Sequence, residues 1–485
     1  MSVQGLVQSD QEFTNLTVNR ILTAGKLSAD KIEVNNLVVD GMPYIPADVF
    51  LDYSVGPVGS NATFTTITEA VAAAEAAGAS EFNIITIYVY PGRYAENITL
   101  TQGYIYLTSF PLTNSGNVVI NKYQQNSVTI NGSLTVQYAT TPTTSDWLTT
   151  VITGFNIGEV VITDSSNVLL KNCMVLDTYT AQNDALGSAT CIVSNCVFGS
   201  QTFPCTCSIL TTTHQISVIF IDCELKIYLI MKKSSIGVYS SNLVINSFTA
   251  TSLDTCYLYS YRNTSCTFFG TLDISKLYCI FYDSMVNGGT ITVTNPFLCF
   301  SSNITFTELK LNAKLQCFNC ISTIANINNG TTDGANMVLF FKNTTATIVT
   351  GQIYSNFTII NSVLERADLT FNGADIYVYN SSILFNAESS FVFSNYTGSN
   401  DIQFINTLLS QDNAATASLL TFNSADMRIY FINCTIINQL SDFININDNS
   451  VILYYNGDGI AFFGNKSVQG ADLTTLALTG SQLFP

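Results

Sequence analysis

The sequence predicts an all-β fold built as a parallel β-helix, a solenoid of stacked coils preceded by a short capping helix and a β-ribbon. A short apolar and aromatic strand ending in Asn or Asp plus a small residue returns through roughly the last three hundred residues, as VLLKNC to Cys173, IVSNC to Cys196, FIDC to Cys223, CFNC to Cys320 and FINC to Cys434. Composition agrees. Only 11% of residues are charged and 47% are hydrophobic, and 24 Tyr with 31 Phe suit many short strands and few surface helices.

The polar residues opening each repeated pair are Asn172, Asn195, Asp222, Asn246, Asp283, Asn319, Asn343, Asn361, Asn380, Asn406, Asn433 and Asn456, mostly 18 to 27 residues apart. Two longer steps of 37 and 36 residues divide at Ser265 and Ser302. A constant signature at irregular spacing is a stacked repeat carrying insertions. A strand of four to six residues cannot bury its apolar face alone, but stacked on copies of itself it can. Asn tolerates the left-handed backbone of a corner and can bond the Asn of the next coil, while the neighbouring Cys, Ser or Thr fits an inward position of limited volume. About fourteen coils follow residue 160 on this reading, roughly 65 Å of stack at the usual strand spacing.

Residues 1–46 are different in kind. Leu16/Val18, Ile21/Thr23, Leu27/Ala29, Ile32/Val34 and Leu37/Val39 are pairs two apart, repeated at steps of five or six. Such a ribbon has one apolar face and nothing within its own length to pack against. Partner copies would supply that surface, which predicts an intertwined stem, most simply of a homotrimer, that attaches the body to other proteins. The alternative is an N-terminal tail that orders only in part.

Residues 47–120 read as the cap and first coils. Thr66 with Glu69 makes a capping box, TEAVAAAEAA is a good helix former, and Gly78 is a stop. Ile67, Val71 and Ala74 share a face suited to plugging the open apolar end of the solenoid. The order F-T-T-I-x-E-A-V from Phe64, then I-Y-V-x-P-G-x-Y-x-E-x-I-x-L from Ile87, resembles the N-terminal signature of the pectin lyase-like β-helix superfamily, which includes pectinesterases and many virus and phage tailspikes. The resemblance implies a right-handed coil and structural roles for Ile87, Tyr88, Gly92 and Tyr94. It is specific for fold and poor for activity.

The body runs over residues 121–456, with an early coil in VTINGSLTV. Residues 457–485 lose the signature and are expected to close the far end, since an open solenoid end exposes sheet edges.

Charge and cysteine bound the function. With 17 basic and 34 acidic residues the net charge is −17, so nucleic acid and anionic membranes are poor partners. No run of eighteen apolar residues argues for membrane insertion, and MSVQGLVQSDQEF lacks the features of a secretory signal. Thirteen cysteines without an export signal predict reduced thiols and assembly in a host cytoplasm. Five of them hold the same place in the repeat, which favours packing. Cys317 and Cys320 form a lone C-x-x-C inside a strand, so neither a metal nor a redox role is expected. Thirteen N-x-S/T sequons include Asn97, Asn303, Asn329, Asn356 and Asn395, and those at ladder positions Asn343, Asn380 and Asn433 are expected to be buried.

No catalytic constellation is legible. The resemblance implies that an esterase would need paired aspartates beside an Arg, and a lyase an Arg or Lys base with acidic calcium ligands. The single histidine, His214, sits in a turn. A hydrolase of the tailspike kind would use carboxylates about 5 to 9 Å apart, for which Asp222 with Glu224, Glu365 with Asp368, and Asp375 are the candidates. Asp222 and Glu224 are two apart on one predicted strand and so face the same way, though Asp222 also holds a ladder position, and Arg366 marks the second pair as an exposed turn. No cofactor is called for. Together these features predict a structural virion surface protein, a spike or fibre that projects from the particle and binds a host glycan or receptor. Outward aromatics and the longer loops near residues 200–215 and 385–402 are the expected contacts. A polysaccharide depolymerase or lyase, and a minor capsid or cement protein, are the alternatives.

Overall fold

The computed structural model describes residues 37–39, 42–44, 52–58, 60, 62–110, 128–138, 149–164, 167–183, 188–200, 202–211, 215–250, 255–329, 338–354, 356–386, 389–395, 400–411, 418–423, 427–438, 444–446, 452–455, 461–464, 467–468 and 471–472. The chain divides into two compact units, Met1–Phe50 and Leu51–Pro485. In the first, Leu37–Val39 pairs antiparallel with Met42–Tyr44, Val39 opposite Met42 and Leu37 opposite Tyr44. This pairing joins Leu37–Val39 to a neighbouring strand within the ribbon. Asp40-Gly41 between the two strands is a hairpin dipeptide. Leu16, Val18, Ile21, Leu27, Ile32 and Val34 lie outside the described residues, as do His214 and Asn456.

The second unit is a parallel β-solenoid. Its first sheet starts at Asp52–Val55, adds Ile85–Val89, Ile105–Ser109 and Thr150–Thr153, and continues coil on coil to Ile452–Tyr455, every pairing parallel. Among the described residues eighteen strands contribute, about 80 Å of stack at ~4.8 Å per strand. After a corner, most coils lay a longer strand on a second sheet, split in two at Gly92–Tyr94 with Ile98–Leu100 and at Val197–Phe198 with Cys205–Leu210. That strand bends midway, with register slips at Ile157/Glu159, Ile227/Tyr228 and Phe268/Thr271. From residue 363 the bend becomes a break, giving Val363–Glu365 and Asp368–Asn372. Each coil therefore has three faces, and inward Ile, Val, Leu, Phe and Cys fill the interior.

The corners explain the repeat. Asn172, Asn195, Asp222, Asp283, Asn319, Asn343, Asn361, Asn380, Asn406 and Asn433 all have φ between 48° and 55°, a left-handed conformation that costs Asn and Asp least among residues with a side chain. Side-chain amides bridge coils: Asn195 Nδ2 donates to Asn172 Oδ1 (2.6 Å), Asn343 to Asn319 (3.1 Å), Asn380 to Asn361 (3.3 Å) and Asn406 to Asn380 (2.9 Å). Asn246 is a correction. It lies inside the strand Asn242–Ala250 at the register slip, with its Oδ1 buried and without a hydrogen-bond partner. The corner of that coil is Ser240, and those of the two long steps are Arg262-Asn263 and Ser301. Ser265 therefore begins the following strand, while Ser302 fills the inward position after its corner.

Inside each corner runs a second ladder. Cys223, Ser241, Ser284, Ser302, Cys320, Thr344, Ser362 and Ser381 are all buried. Five of the hydroxyls accept the backbone N–H of the counterpart one coil earlier: Cys223 N–H to Ser241 (2.9 Å), Ser284 N–H to Ser302 (3.2 Å), Cys320 N–H to Thr344 (3.3 Å), Thr344 N–H to Ser362 (3.0 Å) and Ser362 N–H to Ser381 (3.1 Å). The side chain then donates to a carbonyl two residues back, as Ser362 does to Ile360 (2.7 Å). Cys196 substitutes for the hydroxyl, its Sγ accepting from Cys173 N–H at 3.3 Å.

The helix Ile67–Ala76 buries Ile67, Ala70, Val71 and Ala74 against the first coils. Thr66 caps it by accepting from Glu69 N–H (3.2 Å). The first two N–H groups of the helix are capped from elsewhere in the chain. Glu96 accepts the Ile67 and Thr68 N–H groups at 3.0 and 2.9 Å, and Glu75 reaches out to accept the Thr101 N–H at 2.6 Å. Two carboxylates thus clamp the helix onto the coil that follows it.

Candidate functional site

The candidate acids sit at corners, bends and strand ends. Asp222 is an exposed corner residue, Cys223 turns inward, and Glu224 opens the next strand half-buried. Asp222 itself lies outside the strands, with the left-handed backbone of the corner. In register, Glu224 has Val197 and Asn242 as neighbours, neither a carboxylate. Glu365 and Asp368 lie on either side of the bend, separated by exposed Arg366 at φ 55°. Their column neighbours are Thr347 and Thr350. Burial pushes the Asp368 carboxyl up, with the Ser390 backbone N–H pulling the other way. Asp375 is half-buried, and its carbonyl accepts from Phe357 N–H (3.0 Å). Among the described residues no three His, Cys, Asp or Glu side chains are grouped to hold a metal ion.

None of the thirteen thiols is in a disulfide, and all are buried. Burial pushes Cys191 and Cys205 up to about 12. Cys317 and Cys320 are also held above the ordinary thiol range, by contact with neighbouring thiols as well as burial. A thiol kept protonated is a poor nucleophile and a poor ligand. The sequon asparagines Asn343, Asn380 and Asn433 are exposed, not buried as expected, because the corner throws the Asn outward while the next residue turns in.

What the sequence showed only as composition is the outer surface of the first sheet. Tyr239, Tyr261, Tyr282, Phe300 and Phe318 stack on successive coils, centroids 4.9, 5.2, 4.7 and 5.1 Å apart and planes within 14° of parallel. Burial pushes up the phenols of Tyr259 and Tyr261, and neighbouring phenols add to the effect. Rings stacked in this way cover one another's faces and leave their edges to solvent. Sugar C–H groups seek the negative face of a ring, so this column is a poor sugar platform. The third face is polar: Thr290, Glu308, Asn326, Thr350 and Asp368 lie in register, with Thr292, Lys310, Asn328 and Gln352 beside them. The signal for both columns was the alternation within single strands, legible only once strands are aligned.

No protein-family model matches the chain, and no curated protein sequence matches it. Among solved structures, the chain is similar to the A-module of the Azotobacter vinelandii mannuronan C-5 epimerase AlgE4, at 14% identity over 83% of this chain and 92% of that one, with a TM-score of 0.17. It is similar to the pectin methylesterase of Aspergillus niger at 12% identity over 87% and 86%, TM-score 0.17. The AlgE6 A-module of Azotobacter vinelandii matches at 14% identity over 84% and 93%, TM-score 0.15. Overlaps this loose carry no argument about chemistry, and the solenoid assignment stands on the strand register itself.

Proposed function

We propose that this chain is a structural surface protein of a virus particle, a spike or fibre that binds a host glycan. Copies are held together, most simply as a trimer, by the N-terminal segment, which also joins them to the particle. The observation that carries this reading is the unbroken coil-on-coil pairing of the first sheet, which makes the solenoid stiff and repeats the same surface chemistry along it. Weak contacts repeated on several linked copies add through effective concentration. Because the stacked rings cover their own faces, glycan contact falls to the polar third face around Asn326 and Gln352 and to the loops near residues 200–215 and 385–402. The test is to locate the protein in intact particles by labelling and to measure purified full chain on immobilised host glycans. Protein absent from the particle surface, or no glycan retention, refutes the reading.

A second reading rests on Asp368. Burial raises the Asp368 carboxyl above its ordinary value, the direction a glycosidic general acid requires, which supports a polysaccharide depolymerase. New reducing ends from host glycans, lost in Asp368→Asn, would establish it. Glycan retention without cleavage would leave the attachment reading in place.

A further inference from the structure

We propose that the outer face of the first sheet is an interface with a second copy of this chain. Parallel sheets are normally covered on both faces, and their strands then carry continuous apolar runs instead of alternation. Seven consecutive strands of the first sheet, from Ser188–Ser194 to Leu315–Phe318, contain no Asp, Glu, Lys or Arg. Over the same coils the second sheet holds Glu224, Lys226, Lys232, Asp273, Glu308 and Lys310. Charge is segregated onto one side. On the uncharged side most outward residues are large: beside the ring stack runs a second column with Ile219, Gly237, Tyr259, Ile280 and Leu298 in register, apolar or aromatic at every place but the glycine. Tyr282 is 36% exposed. Aromatic enrichment with charge depletion is the composition of an interface core, and a contiguous apolar face of this size needs a partner.

Three observations select a second copy as that partner. The chain carries a net charge of −17, so copies repel through their charged faces and approach at least cost where charge is missing. The face is ridged at the strand repeat of ~4.8 Å, and another copy presents the same period, so ridges seat in grooves along the whole length; a globular partner has no such period. The size reaches the lower end of what a stable interface buries. Ten strands, from Ser188–Ser194 to Ile376–Tyr379, span nine spacings. With a width of about 14 Å they offer about 600 Å² before side-chain relief, against ~800 Å² per partner in a standard interface.

The experiment uses the full chain with p-benzoylphenylalanine in place of Tyr282, mixed from ¹⁴N- and ¹⁵N-labelled preparations and irradiated. Mixed-isotope cross-links to peptides from residues 188–379 are expected. Because the N-terminal segment is proposed to join copies on its own, the readout for variants is cross-link yield: with the photoprobe moved to Tyr261, the double variant Tyr282→Lys with Leu298→Lys should lower the mixed-isotope yield at least about 10-fold, through like charges set face to face, while Ile321→Lys on the second sheet leaves it unchanged. Cross-links confined to one copy, or cross-links to added glycan alone, overturn the proposal. So does a folded double variant that cross-links as wild type. If the double variant does not fold, the photo-cross-link decides.

Discussion

Replacing Thr344 by Val tests whether the inward hydroxyl ladder holds the coils together. The change keeps the shape and removes one hydroxyl from a side chain that is 2% exposed. Thr344 Oγ1 accepts the Cys320 N–H at 3.3 Å and lies 3.0 Å from the Lys342 carbonyl and 3.2 Å from that of Cys317. Valine leaves the Cys320 N–H buried with no side-chain acceptor, which costs about 1–3 kcal/mol. In a solenoid the loss stays between neighbouring coils, and for a chain this long a melting temperature moves only about 1 °C per kcal/mol. The sensitive readout is therefore local. Hydrogen exchange of the peptide spanning Leu315–Thr323 should show the Cys320 amide exchanging about 5- to 150-fold faster, the range that corresponds to that cost. Thr344→Ser should restore protection. If Thr344→Val leaves the Cys320 amide within threefold of wild type, the ladder is ornamental and the reasoning fails.

Asn380 has φ 48° and bridges Asn361 and Asn406, so Asn380→Ala should cost ~1–2 kcal/mol in urea unfolding and Asn380→Gly clearly less. Glu96→Ala removes the acceptor of two helix N–H groups and should loosen the cap by ~2–4 kcal/mol, seen as new proteolytic cleavage within Ile67–Ala76; wild-type resistance would exclude the clamp. Burial pushes the Cys191 and Cys205 thiols up to about 12 and Cys434 to about 11. A thiol raised on folding stabilises fully below its unfolded value of ~8.5. Above that value the unfolded chain gives up the proton first. Stability should then fall between pH 9 and 11 by about 1.4 kcal/mol per pH unit for each such thiol, and a flat urea midpoint across that range contradicts the burial of these groups.

The repeat was legible because its two signals are local: a turn residue at the corner and a small residue after it. Where the corner is made by another residue type, the signal misleads. Ser240 does the work assigned to Asn246, and Arg262-Asn263 that assigned to Ser265, because a left-handed corner in the right place matters more than the identity of its side chain. The exposure of Asn343 could have been inferred from the burial of Thr344, since adjacent residues at a corner point opposite ways. The pairing of Leu37–Val39 was also within reach, through Asp40-Gly41. Glu96 was not, because nothing local to it announces a helix 28 residues earlier. The stack from Tyr239 to Phe318 depends on alignment between coils, which single strands do not encode.

No corner carries any mark of its ordinal place, and that makes the length of the molecule adjustable in whole units. The Asn319 N–H donates to Lys342 O, the Asn343 N–H to Ile360 O, and the Asn361 N–H to Tyr379 O. Splicing out residues 343–360 would join Lys342 to Asn361 and leave every surviving donor facing a carbonyl of the same kind. A lineage could shorten or extend this protein one turn at a time by deletion or duplication, with no compensating change elsewhere, so long as the excised segment begins and ends at corresponding corners.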